Sequence, residues 1–419
     1  MPRALPESLA VLRRPGFRLL FGAQAVSVLG DRMVAVALAF AVLRLGGGAS
    51  AVGLVLASRT LPLLACLVVG GVVADRTSPR ATMVGADLSR VATQGALAAL
   101  LIGGSPPIWV VAALSGATGA ATGFFNPAST GLMPALVAPD ELMQANGLRN
   151  TARAGGEIVG PAVAGVLVAA AGPGWAIGVD AATFAVSAAF LVRLRAPRAT
   201  RAAPPSFLAD LRAGWGEFRS RTWLWSLVCA AAVGNMLWGA WSALGPVVAA
   251  RELGGARAWG GVLAAMGVGA LLGGIVAIRA RPRRPLVASV LVTGLFVVPL
   301  LLLAAGAGVL VLAVGALLAG LAMMLGGSLW ESTLQREVPA AALSRVSSYD
   351  WLGSLAFQPL GLVMWGPLAA ALGLSTALWL AAAGWAVTTI ALLSVRDIRA
   401  MRGPATGRAG APGADIVGA

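Results

Sequence analysis

The sequence predicts an all-α integral membrane protein with about twelve transmembrane helices in two pseudo-symmetric bundles of six. Three observations carry that prediction. First, 58% of residues are hydrophobic and 11% charged, against about a quarter charged in soluble domains. The apolar residues gather in blocks of about 20 or more, long enough to cross roughly 30 Å of hydrocarbon as helices. Second, the arginines fall on alternate loops. Third, the two halves of the chain echo each other.

The first six blocks are residues 17–43, 51–73, 82–102, 107–130, 148–171 and 174–192. The second six are 223–249, 258–278, 285–305, 308–330, 351–372 and 375–395. The expected domains are therefore an N-terminal bundle (1–193), a cytoplasmic linker (194–222), a C-terminal bundle (223–396) and a disordered cytoplasmic tail (397–419). With the N-terminus inside, one side receives Arg3, Arg13, Arg14, Arg18, Arg76, Arg80, Arg149, Arg153, the arginines of 193–221 and 279–284, Arg336, Arg345 and those from Arg396 onward. The other side keeps Arg44, Arg251 and Arg257. Basic loops stay in the cytoplasm, so both termini and the central loop are expected there. A net charge of +15 is then a matter of orientation and not of nucleic-acid binding.

The linker opens with Pro197, Pro204 and Pro205, after which Phe207, Leu208, Leu211, Trp215 and Phe218 recur at helical spacing among Asp210, Arg212, Glu217 and Arg219. That pattern predicts a helix lying on the cytoplasmic membrane surface. The internal echo is carried by residues 70–76 and 273–279, by Pro79-Arg80 and Pro282-Arg283, and by 155–161 and 353–359. Duplication of a six-span unit is the mark of a transporter whose halves rock about a central site.

Composition excludes several chemistries. All 31 basic residues are arginine, and the chain has no Lys and no His. A phosphate-binding loop lacks its Lys, and His-based metal sites and acid–base catalysis are impossible. Cys66 and Cys229 sit in apolar blocks without a CxxC partner, as small buried hydrophobes do. No enzyme, metal or cofactor is expected. A channel would need a repeated polar lining or charged ring, and none is present.

The loop after the second block reads Gly71, Ala74, Asp75, Arg76 and Arg80 where the major facilitator superfamily carries Gly-x-Leu-Ala-Asp-Arg-x-Gly-Arg-Arg; it departs at Val73, Ser78 and Pro79. The fifth block carries Gly156, Gly160, Pro161 and Gly165, similar to that superfamily's antiporter motif Gly-x-x-x-Gly-Pro-x-x-Gly-Gly, with Ala164 in place of one glycine. The chain thus resembles the superfamily over nearly its whole length, and within it the bacterial drug and siderophore exporters, of the enterobactin-exporter and macrolide-efflux kind. The resemblance implies a monomer in the bacterial cytoplasmic (inner) membrane that exports small amphipathic or apolar molecules by proton antiport and alternating access. Multidrug resistance is the corresponding phenotype, and a metabolite importer or facilitator of the same fold is the alternative. It also implies a cytoplasmic gate at Gly71, Asp75, Arg76 and Arg80. In the fourth block, residues 114–119 offer no arginine, a departure from the antiporter branch.

A charge in the hydrocarbon costs about 3 kcal/mol even on lenient scales, so each one is a functional candidate. Asp31, Glu157 and Arg59 are the proton-coupling candidates. Asp31 reads equally as a proton carrier and as a permanent partner of Arg59 or Arg32. Glu157 has Arg153 one turn away as partner, Asp87 and Arg90 pair on one helix, and Asp180 and Asp350 read as caps or interfacial groups. Met33, Asn235, Met236, Trp238, Trp241 and Trp365 are the substrate-pocket candidates. Trp109, Trp175, Trp223, Trp225, Trp259, Trp351 and Trp379 read as interfacial anchors. The expected partners are a small-molecule substrate, protons and the lipid bilayer.

Overall fold

A computed structural model describes residues 11–76, 78–195, 215–216 and 218–403. For 68–76, 139, 340–345, 348 and 351 it describes the backbone alone. The first half is α1 (Pro15–Arg44), α2 (Ala49–Arg76), α3 (Pro79–Gly103), α4 (Ile108–Leu132), α5 (Leu142–Ala170) and α6 (Pro173–Arg193). The second is α7 (Thr222–Val248, extended by a π-turn over Ala249–Leu253), α8 (Ala256–Arg279), α9 (Pro285–Gly294) and α10 (Val297–Ala304), α11 (Val309–Glu337), α12 (Ala340–Leu355) and α13 (Gln358–Leu372), and α14 (Leu374–Ser394). Proline opens α1, α3, α6 and α9, where its missing N–H has no helical partner to lose. Gly172 and Gly373, at φ 99° and 89°, make the short turns into α6 and α14, a left-handed backbone that a side chain would strain.

Among the described residues eleven helical segments are long and apolar enough to cross a membrane. The twelfth rod is α3, as long as its neighbours but carrying Asp87, Arg90 and Gln94. Two rods predicted as continuous are broken. Pro299 removes the N–H that would bond the Leu295 carbonyl, and the ninth rod divides between α9 and α10. Pro359 does the same to Leu355, and the eleventh divides between α12 and α13. Helices also outrun their apolar blocks, α5 starting at Leu142 and α11 ending at Glu337, because helical hydrogen bonding continues into the headgroup region where hydropathy has ended. The segment read as a disordered tail begins with a helix, α15 (Arg396–Ala400), whose Ile398 is buried against the second half. Of the linker, residues 194–195, 215–216 and 218–222 are described. Trp215 and Phe218 stack on each other and both rest on Tyr349 of α12, while Phe207, Leu208 and Leu211 lie outside the described residues.

The helix pairings of the two halves correspond. The pairs α1–α6, α1–α5, α2–α4 and α3–α6 are matched by α7–α14, α7–α13, α8–α11 and α10–α14. Glycines set the closest pairs. Along α4, a Cβ at Gly116, Gly119 or Gly123 would strike the α2 backbone at Ser58, Arg59 and Leu63; along α8, one at Gly269 or Gly273 would strike α11 at Leu317 and Leu321. The bundles meet through α5–α8 and α2–α13. There Gly165 faces Ala256 and Gly260, and Gly366 faces Ser50. The contact-equivalent positions are thus Gly160 with Gly361 and Gly165 with Gly366, three residues off the register of the sequence echo at 353–359.

Candidate functional site

Both inter-bundle contacts lie near one end of the rods, at the starts of α2 and α8 and the ends of α5 and α13. A single hydrophobic core spans both halves there, including Leu38, Val55, Trp241, Trp259 and Trp365. Toward the opposite end, which carries both described chain ends, the core separates in two. One part, around Phe17 and Phe125, belongs to the first half, and the other, around Trp223 and Val346, to the second. Between the separated cores lies a cavity of about 920 Å³. Its roof is apolar and aromatic, formed by Leu38, Leu56, Trp238, Trp241, Trp259 and Leu362, and it runs down to Gln335 and Ser347. The molecule is closed at the far face and open at the face bearing its described chain ends.

Charge is distributed unevenly over the cavity wall. On the first half, Arg59 Nη2 lies 2.8 Å from Asp31 Oδ1, and Glu157 Oε1 lies 3.1 Å from Arg32 Nη2 and 3.5 Å from Arg153 Nε. Asp31 therefore stands in an ion pair with Arg59. Glu157, for which the sequence offered Arg153 alone, is shared with Arg32. On the second half the wall presents Glu331 and Asp350. Asp350 accepts hydrogen bonds from Trp330 Nε1 at 3.1 Å and Ser354 Oγ at 3.3 Å; it faces the cavity and is no helix cap.

The fifth-helix motif is a junction of three helices. A Cβ at Gly156 would lie 2.8 Å from Val28 Cγ1, and one at Gly160 2.5 Å from Arg32 Cβ, both on α1. One at Gly165 would lie 2.6 Å from the Ala256 carbonyl oxygen of α8. Pro161 leaves the Glu157 carbonyl without a helical donor, and that oxygen faces Gly267 of α8, where a Cβ would come within 2.7 Å. In the loop motif, Arg80 donates from Nε to the Leu191 carbonyl at 2.9 Å and also bonds the Val192 carbonyl, tying α3 to the end of α6. Gly71, Asp75 and Arg76 belong to the last turns of α2, with side chains outside the described residues.

The pocket candidates divide. Trp238 and Trp241 line the cavity. Met33 and Trp365 are buried in the shared core, and Trp365 Nε1 donates to the Met236 carbonyl at 2.9 Å. The Met236 backbone packs on Gly361, and Asn235 Nδ2 bonds the Ser354 carbonyl at 3.0 Å. Asn235, Met236 and Trp365 hold α7 to α12 and α13, Met33 is packed on α1 in the shared core, and all four leave the cavity to others, because the helix rotation that decides which side a residue faces is set by glycine contacts. Trp259, read as an anchor, forms part of the roof, and Trp223 is buried against Trp330.

Behind the cavity wall lies a polar seam of which the sequence reading gave the Asp87–Arg90 pair and missed the rest. Arg90 pairs with Asp87, both fully buried, and its guanidinium carbon lies 4.2 Å from the ring centroids of Phe125 and of Phe184. Ser187 Oγ donates to Asp87 Oδ2 at 2.6 Å, and Gln94 Nε2 to Asp180 Oδ2 at 2.6 Å. Asp180 is 0% exposed and two turns inside α6, so it is neither cap nor interfacial group. The signal was present in the sequence: Asp87, Arg90 and Gln94, and likewise Asp180, Thr183 and Ser187, follow i, i+3, i+7 spacing, one helix face each.

Comparison with known proteins places this architecture. The family model for the Major Facilitator Superfamily matches residues 20–353. An MFS-type transporter of Sinorhizobium fredii is 29% identical over 368 residues, 84% of this chain and 88% of the relative. Macrolide efflux protein A of Streptococcus pyogenes is 24% identical over 215 residues, 51% of this chain; the chain spans about half (53%) of that relative's length. Among solved structures, a peptide transporter in complex with sulfate superposes with a TM-score of 0.74 at 14% identity, over 93% of this chain and 96% of that one. The nucleoside transporter NupG does so at 0.69 and 14%, over 90% and 98%. The shared rod pairing and the family match over most of the sequence lead to one conclusion: the chain belongs to the Major Facilitator Superfamily and is a multi-pass membrane transporter, not an enzyme.

Proposed function

We propose that the protein is a proton-coupled secondary exporter of small amphipathic or apolar molecules in the bacterial cytoplasmic membrane, with both termini in the cytoplasm. The observation that carries this reading is the cavity. It is lined by both halves, roofed by tryptophans and leucines, and reached from the face where the arginine-rich loops lie, which the positive-inside rule makes cytoplasmic. A molecule dissolved in the inner leaflet or cytosol would enter there, stack on Trp238 and Trp241, and leave after the halves rock. The macrolide efflux relatives support the outward direction and a bulky, largely apolar cargo, as does the close-packed glycine motif of α5.

Cells expressing the protein and loaded with a panel of macrolides and fluorescent dyes test it directly. Faster loss of at least one compound, abolished by a protonophore, is expected. Faster accumulation would replace export by import, and loss insensitive to the protonophore would remove proton coupling.

A further inference from the structure

We propose that Asp180, and not Asp31 or Glu157, is the carboxyl group that carries the exchanged proton, held in place by Gln94. The inference rests on the proton-coupled reading and names its site.

The acids on the cavity wall are already compensated. Asp31 of α1 is held by Arg59 of α2, and Glu157 of α5 by Arg32 and Arg153. On α3, the other neighbour of α6, Arg90 is taken by Asp87 and enclosed by two phenyl rings. Every arginine facing this region from α1, α2, α3 and α5 is thus committed to another acid. Asp180 lies among them, fully buried, with no ion-pair partner among the described residues. A carboxylate in such a place would be an uncompensated charge out of reach of water, whereas a neutral carboxyl is accommodated.

The hydrogen bonds agree with a neutral group. Oδ2 accepts from Gln94, and Oδ1 has no partner, so the proton belongs on Oδ1. That oxygen and Thr183 Oγ1 occupy the place a Cβ on Gly30 would take. The α1 backbone at Gly30 therefore covers the carboxyl, and the next residue of α1 is Asp31, which opens to the cavity. The two acids stand on either side of one helix turn.

Release follows when α1 shifts from α6 and the two groups meet. The O–H bond at Asp180 Oδ1 breaks, its electron pair stays on the carboxylate, and the proton bonds an Asp31 oxygen. Neutral Asp31 lets go of Arg59, whose Nη1 is buried and without a partner, and the guanidinium then compensates Asp180. The three groups sum to zero charge before and after this transfer; the O–H bond at Asp31 then breaks, the proton passes to water in the open cavity, and the set is left with one net negative charge.

Infrared spectroscopy of the purified full-length protein in lipid tests this without any substrate. A protonated-carboxyl stretch slow to exchange in D₂O is expected in the wild type and in Asp31→Asn, and is lost in Asp180→Asn. Absence of the band from the wild type, or its survival in Asp180→Asn, overturns the inference. Should Asp180→Asn not elute as a folded protein, Gln94→Leu decides: the band shifts if Gln94 bonds this carboxyl, and an unshifted band overturns the assignment. In proteoliposomes loaded with a macrolide, a pH gradient accelerates efflux by the wild type, and Asp180→Asn loses at least tenfold of that acceleration; full acceleration overturns the proposal. If the wild type moves no compound, the export reading fails while the infrared result still decides the site.

Discussion

Adding one methyl group at Gly165 should tilt the conformational balance of the whole molecule. In the observed state a Cβ there would sit 2.6 Å from the Ala256 carbonyl oxygen and 3.1 Å from the Gly260 Cα. The obstacles are backbone atoms of the opposite bundle, which cannot rotate away as a side-chain tip can. Overpacking of this kind costs about 1–3 kcal/mol. The contact lies between the halves at the closed far face, so a state open on that side escapes the cost. Gly165→Ala should therefore shift the equilibrium toward the far-side-open state by roughly 5- to 150-fold. Spin labels at Met143 and Gln335, on opposite halves at the terminal face, would report it once Cys66 and Cys229 are replaced. The short-distance population should grow in Gly165→Ala, and growth should recur in Gly366→Ala, whose Cβ would meet the α2 backbone at Ser50. Unchanged distance distributions in both variants would refute the assignment of these glycines to a contact made in one state only.

Other consequences are equally specific. Removing Arg90 alone (Arg90→Met) leaves Asp87 buried and unpaired and should destabilise the protein by about 3–5 kcal/mol; adding Asp87→Asn should recover much of that, measured by unfolding in mixed micelles. For the cavity pair, Arg59→Ala and Asp31→Ala should couple in a double-mutant cycle by 0.5–3 kcal/mol as contacting groups do, roughly, in other proteins, and additive effects would remove the ion pair. Trp241→Ala should weaken binding of apolar cargo more than Trp365→Ala does, because the first lines the cavity and the second bonds the Met236 carbonyl; equal losses in a binding titration would contradict that division.

Much of the architecture was legible because a bilayer imposes it. Apolar length gave the rods and arginine placement their direction, and glycine at 70–76 and 273–279 marked the duplication. What hydropathy could not supply was helix rotation and local breaks. Asn235, Met236 and Trp365 were expected in the pocket, yet Gly361 pulls α13 onto Met236 and turns them into a staple between helices. Pro299 and Pro359 stood in plain view, but whether proline breaks a helix depends on what receives the freed carbonyl. At Pro161 the helix continues, with Gly267 admitting the Glu157 oxygen; at Pro359 it does not. The site suffered from a different blindness. Asp31 was found because it is a charge in an apolar block, while Asp180 was dismissed for its position near a span end. The two i, i+3, i+7 polar stripes of α3 and α6 would have corrected that, since two such faces in one bundle have every reason to meet.

Cargo and protons should exchange in a coupled way across one cavity. Proteoliposomes containing a trapped pH indicator, with a transported macrolide added on one side only, measure it most directly. Protons should move opposite to the macrolide in the wild type and should not do so in Asp180→Asn. Macrolide movement without any proton flux in the wild type would contradict it.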